Sequence, residues 1–240
     1  MKKLALITGA NKGIGKEIAR QLGEAGYLVL IGSRDLARGE AAAGELVADG
    51  LDAEAVQLEV TDPASVRHAA ARIGQEHGRL DVLVNNAAII PDGDAGVTEV
   101  AAGPLRAGFE TNVIGVVDVT TALLPVLRNA TAARIVNLST SLASFTQVGD
   151  PESPMSAIRT LGYNSSKAAL NMVTVMLANE LRGTGILVNA ADPGNCATDM
   201  GGWDAARTPA EGAAVAVRLA TLGPDGPTGQ VHDENGRLPW

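Results

Sequence analysis

The chain has 240 residues, of which 46% are hydrophobic and 19% charged, the composition of a folded globular protein rather than of a disordered one. Its formal net charge of −8 argues against a nucleic-acid partner, and its single cysteine excludes an internal disulfide and a cysteine-rich metal site. The three histidines are scattered without the spacing of metal ligands, so no metal site is expected.

The first residues, MKKLALITGA, place two lysines before an apolar run as a signal peptide would. The run ends at Thr8 and is shorter than the roughly 7–15 apolar residues of a signal sequence. No apolar stretch approaches the ~20 residues that a membrane span needs. We therefore expect a soluble cytoplasmic protein with no membrane partner.

Short, continuously apolar runs alternate with stretches of helical period along the chain. Six runs are predicted as strands buried on both faces, at residues 4–8, 27–32, 52–60, 80–87, 133–139 and 185–191. Five helices are predicted at residues 13–25, 35–49, 63–78, 111–129 and 162–182. No linker or repeat interrupts the alternation. The sequence therefore predicts one α/β domain over residues 1–240, a Rossmann-type doubly wound parallel sheet with helices on both faces.

Two longer connections, residues 140–161 and 192–208, lack this regularity. Such sheets bind ligands in loops that follow the carboxyl ends of strands, so these segments are the predicted substrate loops. Large apolar side chains in them fit a hydrophobic or aryl substrate, with ordinary loop packing as the equal alternative. These side chains are Leu142, Phe145, Met155 and Trp203.

Three glycines follow the first predicted strand and open the first helix. Gly9 permits a tight turn, Gly13 lets the backbone approach a pyrophosphate, and Gly15 allows the helix to pack closely on the sheet. The helix N-terminus then offers amides and the positive end of its dipole to phosphate. This spacing is a variant of the dinucleotide-binding fingerprint and predicts a nucleotide site.

The end of the second predicted strand bears on the choice of nucleotide. A site selective for a free ribose 2′-hydroxyl usually has an acidic residue there, whereas this chain has Ser33 followed by Arg34. Lys12 in the glycine turn supplies a second cation. Two cations at this end favour the 2′-phosphate of NADP(H) over NAD(H), with exposed surface charges as the alternative.

A tyrosine and a lysine stand one helical turn apart in the predicted last helix. Tyr163 and Lys167 have the i, i+4 spacing that places two side chains on one helix face. A cation held beside a phenol favours the phenolate and lowers a pKa that begins near about 10. The pair is therefore a candidate for acid–base chemistry near neutral pH.

Further motifs fall in a recognisable order. They are TGANKGIG at 8–15, Asp62 after the third predicted strand, NNAA at 85–88, Asn112, IVNLSTS at 135–141, YNSSK at 163–167 and PGNCAT at 193–198. With these motifs the chain resembles the single-domain short-chain dehydrogenase/reductase family over nearly its full length. Its opening and its C-terminal residues resemble the carbonyl-reductase-like branch.

The resemblance implies an enzyme that binds NADP(H). Asp62 would hold the adenine, Asn85 and its neighbours would line the cofactor, and residues 193–198 would bind the nicotinamide carboxamide. The full set of expected cofactor contacts is Gly9, Asn11, Lys12, Gly13, Ile14, Gly15, Ser33, Arg34, Val60, Asp62, Asn86, Ala87, Tyr163, Lys167, Pro193, Gly194, Cys196 and Thr198.

The implied reaction is reduction of a ketone or aldehyde to an alcohol, or the reverse. Tyr163 would exchange the proton, Lys167 would lower the pKa of Tyr163 and bind the nicotinamide ribose, and Asn112 would hold a water that relays protons. In motif register, the family's catalytic serine corresponds to Thr140. Ser141 is the alternative, although residues leaving a strand alternate in direction, which favours Thr140.

Two other functions remain open at this point, a non-catalytic NADP(H)-binding sensor and a sugar-nucleotide epimerase or dehydratase. The intact Tyr163, Lys167 and Asn112 argue against the first, and 240 residues leave little room for the substrate domain of the second. The expected partner is a small carbonyl or alcohol. The resemblance to the family implies a homo-oligomer, a dimer or tetramer. The apolar segments 113–127 and 169–181 support this expectation, because helices of such composition could pack across a two-fold axis.

Overall fold

The computed structural model describes residues 2–240, and one eight-stranded sheet runs through them. The strand order is β3-β2-β1-β4-β5-β6-β7-β8, and every neighbouring pair is parallel except β7 with β8. The strands are β1 Leu4–Thr8, β2 Leu28–Ser33, β3 Ala53–Gln57, β4 Val82–Asn85, β5 Arg134–Leu138, β6 Leu187–Ala191, β7 Val231–Asp233 and β8 Gly236–Arg237.

Helices cover both faces of this sheet. They are α1 Gly13–Glu24, α2 Leu36–Ala48, α3 Pro63–Glu76, α4 Ala102–Phe109, α5 Gly115–Arg128, α6 Phe145–Val148, α7 Leu161–Glu180 and α8 Pro209–Ala220. One apolar core packs α1, α2 and α8 on one face, and a second packs α3, α5 and α7 on the other. The predicted doubly wound α/β architecture is confirmed.

The structure contains elements that the sequence pattern did not predict, namely α4, α6, α8, β7 and β8. The start of α8 carried a readable signal, because Thr208 and Glu211 form a reciprocal capping box with Pro209 in the first turn. By contrast, α4 contains Gly103 and Pro104 and little apolar periodicity, so tertiary packing rather than propensity makes it helical.

Predicted boundaries also change. The third strand, expected over 52–60, ends at Gln57, and the fourth, expected over 80–87, covers Val82–Asn85. Leu58 and Val60 continue the hydrophobic run beyond the strand and belong to the core beneath α3 and α5. The Leu58 N–H still donates to the Ser33 carbonyl of β2 at 2.9 Å, although the strand itself ends at Gln57. A run of apolar residues therefore predicts which residues are buried, but it does not predict where the strand ends.

Helices α4 and α5 join through a π-helical turn, Glu110–Ile114, into one helical stretch. This stretch, Ala102–Arg128, is long and apolar enough to cross a membrane by length and composition alone, so the expectation that no segment of the chain has that length is wrong. Its inner side packs against α3 and α7, as the core helix of a folded domain does. The π turn places Asn112 inside the protein, beside α7.

Candidate active site

The carboxyl ends of β1 and β4 meet at the point where the strand order reverses, and the side chain of Thr8 joins them. Its Oγ1 accepts hydrogen bonds from the backbone N–H groups of Asn86 at 3.0 Å and Ala87 at 2.9 Å. In return, the Asn86 side chain donates to the carbonyls of Thr8 at 2.8 Å and Gly9 at 3.2 Å. The glycine turn and the residues after β4 therefore form one rigid floor.

The glycine turn has the backbone geometry of a phosphate cradle. Gly9 and Gly13 adopt φ values of 65° and 58°, which disfavour other L residues. A Cβ at Gly15 would lie 2.4 Å from Asn86 Nδ2, and one at Gly13 would point at Thr198, 3.4 Å from its Cγ2. The space between the turn and Thr198 is therefore one that a side chain would fill. These residues fit a dinucleotide cofactor.

The cations expected near a 2′-phosphate lie in different settings. Arg34 is exposed, and no ion pair of its side chain occurs within residues 2–240. Lys12 is also exposed but pairs with Asp199 of the loop that follows β6. Ser33 is buried, and its hydroxyl donates to the Asp35 carbonyl at 2.7 Å. Of the two cations, Arg34 is thus the more readily available for a phosphate.

The expected adenine end lies beside the start of α3. Asp62 is the N-cap of this helix, and its carboxylate accepts from the Ala64 N–H at 2.9 Å. A shallow cavity of about 500 Å³ opens here and includes Leu36, Val56 and Asp62 in its wall. Val60 lies close to Asp62 in sequence and is buried against the helical stretch above it.

The loop after β6 carries the PGNCAT motif in a close-packed turn. Gly194 has a φ of 69°, and a Cβ at Gly212 of α8 would lie 2.4 Å from the Cys196 sulfur. Cys196 is buried, and burial is the largest cause of the raised pKa of its thiol. A buried thiol with a raised pKa is a packing residue rather than a nucleophile. Pro193 and Thr198 complete the turn toward the glycine cradle.

Tyr163 and Lys167 lie on the inner face of α7, near the ends of β5 and β6. Lys167 is only 2% exposed, and its Nζ donates to the Leu138 carbonyl at 2.6 Å. The same Nζ lies 5.8 Å from the centre of the Tyr163 ring. The structure therefore brings the two residues together as their spacing predicts.

The protonation of this pair differs from the expectation. Burial lowers the pKa of Lys167 to about 7, so the ammonium is only partly charged near neutral pH. The pKa of Tyr163 is raised, first by burial and then by the negative charge of Asp192. The expected lowering of the Tyr163 pKa by Lys167 is therefore not seen in this state, because burial of the phenol acts in the opposite direction and is the largest influence on its pKa.

Asn112 has a structural role that its motif did not reveal. Its Oδ1 accepts from the Ile89 N–H, and its Nδ2 donates to the Ile89 carbonyl, both at 2.9 Å. Its Nδ2 also donates to the Ser166 hydroxyl at 3.0 Å. The side chain thus joins the loop after β4 to α7 with three hydrogen bonds, and the water expected at Asn112 stays a prediction.

The three hydroxyls at the end of β5 have different partners. Ser139 is buried and donates to Asn171 Oδ1 at 2.6 Å. Ser141 donates to the Met155 sulfur at 3.5 Å. Thr140 only accepts, from the Leu142 N–H at 3.2 Å, as the cap of a 3-10 turn. Among the described contacts, the Thr140 O–H therefore keeps its donor free.

Asn85 does not line a cofactor groove, contrary to the expectation. Its side chain is buried between β5 and α5, where Nδ2 donates to Asn137 Oδ1 at 2.8 Å and to Thr120 Oγ1 at 3.1 Å. Asn137 in turn donates to Thr174 Oγ1 at 2.8 Å. This polar chain links the sheet to α5 and α7, whereas the buried Oδ1 of Asn85 has no hydrogen-bond partner among the described residues.

Sequence reasoning missed Asp94, which caps the helix that carries Tyr163. Its Oδ1 accepts from the Gly162 N–H at 2.7 Å, and its Oδ2 accepts from the Tyr163 N–H at 2.8 Å. The Ala95 carbonyl accepts from the Leu161 N–H at 3.0 Å. The first-turn amides of α7 are thus satisfied from a remote loop, beside the positive end of the helix dipole. No local signal could have revealed it, because 69 residues separate Asp94 from Tyr163.

Comparison with known proteins agrees with this geometry. A family model described as short chain dehydrogenase matches residues 3–207. Short-chain dehydrogenase anuI of Penicillium roqueforti is 36% identical, over 99% of this chain and 96% of that protein. Human carbonyl reductase [NADPH] 3 is 34% identical, over 97% and 96%. The NADPH-bound carbonyl reductase from chicken fatty liver superimposes with a TM-score of 0.87 at 28% identity, over 100% and 99% of the two chains.

The fold, the site and these matches define a nicotinamide-dependent oxidoreductase class with a single doubly wound domain. The chain belongs to the short-chain dehydrogenase family. The resemblance seen in its sequence motifs, including the likeness to carbonyl reductases, is confirmed.

We expect Asp94→Ala to destabilise the protein and to slow turnover through the misplacement of Tyr163. Loss of a side-chain cap lowers the free energy of unfolding by about 0.5–2 kcal/mol, and urea denaturation measures it. Asp92→Ala, an exposed change in the same loop, is the matched control. Equal effects of the two substitutions on stability and kcat would show that the cap has no special role.

Proposed function

We propose that this protein reduces a ketone or aldehyde to an alcohol with NADPH, or catalyses the reverse oxidation. The main support for this proposal is the Tyr163–Lys167 pair on α7, which lies beside a glycine cradle that fits a dinucleotide. The similarity to NADPH carbonyl reductases supports the choice of reaction. When bound, NADPH supplies the hydride that reaches the carbonyl carbon.

Residues along the strand ends would hold that cofactor. The glycine turn would receive the pyrophosphate at the N-terminus of α1, and the cavity beside Asp62 would take the adenine. Arg34, with Lys12, would receive the 2′-phosphate. The turn from Pro193 to Thr198 would contact the carboxamide end.

Tyr163 would supply the proton. Its raised pKa keeps the phenol protonated at neutral pH, the form that donates to a carbonyl oxygen as negative charge develops. Lys167 is held against the Leu138 carbonyl, so its position relative to the tyrosine is defined before any ligand binds. The free O–H of Thr140 would donate a second hydrogen bond to the same oxygen.

An apolar carbonyl compound fits the loops around this site best. Phe145 is 79% exposed and Trp203 75% exposed, an unusual state for large apolar side chains. Both lie in the segments that flank the ends of β5 and β6. Burial of these side chains against a hydrophobic or aryl substrate would favour its binding.

We expect Tyr163→Phe to lower kcat by about 10²–10⁴-fold, because proton transfer loses its donor, while NADPH affinity stays nearly constant. Steady-state kinetics on a panel of ketones, aldehydes and quinones, together with NADPH binding, measures both quantities. Tyr27→Phe is the matched control, since Tyr27 is the only other tyrosine. Retention of more than a few per cent of the rate would contradict the assignment, and a parent protein that binds NADPH without any turnover would indicate a sensor.

We expect Thr140→Ala to lower kcat by about 10²–10³-fold, as does the loss of one donor to a developing oxyanion. Ser141→Ala should change kcat little, because the Ser141 hydroxyl is directed to Met155. Kinetics of the two purified variants decide between the residues. The opposite ranking would assign the role to Ser141.

We expect Arg34→Ala to weaken NADPH binding by roughly ten-fold or more while leaving NADH nearly unaffected. A charge-assisted contact to a phosphate contributes about 1.5–3 kcal/mol, which corresponds to that factor. Arg38→Ala, a second exposed arginine that pairs with Asp35, is the matched control. Equal losses for the two cofactors would make Arg34 a structural residue.

We propose that the protein is a homo-oligomer through the outer faces of α5 and α7. Met172 and Met176 of α7 and Val117 of α5 are exposed apolar side chains. Burial of such faces across a two-fold axis is a common route to dimers. Light scattering at micromolar concentration should therefore show a mass above that of one chain, and a monomer would contradict the proposal.

A further inference from the structure

Asp192 is a buried carboxylate for which the proposed reaction has no role. It follows the last residue of β6 and is only 6% exposed. Within residues 2–240, no lysine, arginine or histidine forms an ion pair with it. Burial of an unpaired carboxylate is costly, so its retention needs compensating contacts.

Those contacts join two loops. Asp192 Oδ2 accepts from the Ser141 N–H at 2.8 Å, and Oδ1 accepts from the Gly194 N–H at 2.9 Å. Ser141 directly follows Thr140 at the start of the first predicted substrate loop. Gly194 begins the turn that carries Cys196. One carboxylate therefore fixes both walls of the site with its two oxygens.

The strand register places this carboxylate next to the catalytic pair. Ala191 pairs with Leu138 in the sheet, and the Ser139 N–H donates to the Ala191 carbonyl at 2.7 Å. Leu138 provides the carbonyl that receives Lys167. Asp192 is thus one residue beyond the strand position that holds the catalytic lysine.

The charge of Asp192 also acts on Tyr163. Burial is the largest cause of the raised pKa of the phenol, and the charge of Asp192 adds to it, because a nearby negative charge opposes formation of the phenolate. The pKa of Asp192 itself is raised on balance, because the effect of burial exceeds that of the hydrogen bonds from Gly194 and Ser141, which lower it, and Asp233 on β7 adds a smaller rise. Cys196 in its own loop carries no charge, because its thiol pKa is raised.

Another titratable neighbour lies on β7. His232 accepts the Asp192 N–H at its backbone carbonyl, and the pKa of its imidazole is lowered by burial and by nearby arginines. The imidazole is therefore neutral at neutral pH, and it supplies no cation to offset the carboxylate.

We propose that Asp192 is a positioning residue whose carboxylate holds the Thr140 loop and the Cys196 loop together around Tyr163 and whose charge keeps Tyr163 in its proton-donating form. This inference rests on the proposed role of Tyr163 as general acid. A site so arranged favours carbonyl reduction, which needs the phenol, over alcohol oxidation, which needs the phenolate.

The test uses the full chain in a Tyr27→Phe background, which leaves Tyr163 as the single tyrosine. Its ionisation is followed by near-ultraviolet absorbance in the absence of cofactor. In Asp192→Asn, tyrosinate should appear at a pH at least about one unit lower than in the parent. If tyrosinate appears at the same pH in both, or in neither below the pH of unfolding, the charge effect is refuted.

Two further variants separate charge from position. Asp192→Glu keeps the charge but displaces the oxygens, so it should lower kcat while tyrosinate appears near the parental pH. Asp233→Asn, which keeps the oxygen that accepts from Asn235 and Gly236, is the control and should leave the tyrosinate pH unchanged. An Asp192→Glu variant with parental kcat would refute the positioning role. If Asp192→Asn does not fold, Asp192→Ser takes its place in the titration.

Kinetics add a second readout. The alkaline limit of the pH profile for carbonyl reduction should move to lower pH in Asp192→Asn, whereas a loss of loop structure alone would lower the rate at every pH equally. Should the parent protein show no turnover, the proposed function fails, but the absorbance titration still decides whether Asp192 acts on Tyr163.

Discussion

Because β1 lies between β2 and β4, the chain winds outward in opposite directions on its two sides, and the loops after β1 and β4 diverge at their carboxyl ends. The crevice that results would expose backbone amides. Here the Thr8 hydroxyl spans the crevice, because its oxygen accepts hydrogen bonds from the Asn86 and Ala87 N–H groups on the other side. The glycine cradle, the turn after β6 and the helix that carries Tyr163 are all arranged around the floor that this contact creates.

The site above this floor contains charged groups whose burial is unfavourable in free energy. Lys167 is buried against a single carbonyl, Asp192 is buried against two amides, and neither has an ion-pair partner in the described chain. Their pKa values move in the directions that reduce charge, downward for the amine and upward for the carboxyl group. A bound cofactor with its own charge would therefore enter a site in which the Lys167 amine is only partly charged near neutral pH.

The helix that carries Tyr163 is capped by a residue that is remote from it in sequence. The helix that carries Tyr163 begins at Leu161 without a capping side chain of its own, since Thr160 makes no such bond. Asp94 supplies the missing acceptors from the loop after β4, and Asn112 ties the same loop to α7 through Ile89 and Ser166. The position of the tyrosine is therefore set in part by hydrogen bonds from a loop that is remote from it in sequence.

The sequence by itself determined the layered α/β fold, the glycine cradle and the Tyr163–Lys167 pair, because each depends on local spacing: buried runs, φ-permissive glycines and one helical turn. Only the tertiary structure decided the hydrogen-bond partners of Asn85, the lowered pKa of Lys167, and the contacts of Asp94 and Asp192. Each of these depends on which groups meet after folding, across tens of residues, and on how much water is excluded around them. The spacing of residues along the chain gives neither the distances between groups that are remote in sequence nor the dielectric environment around them.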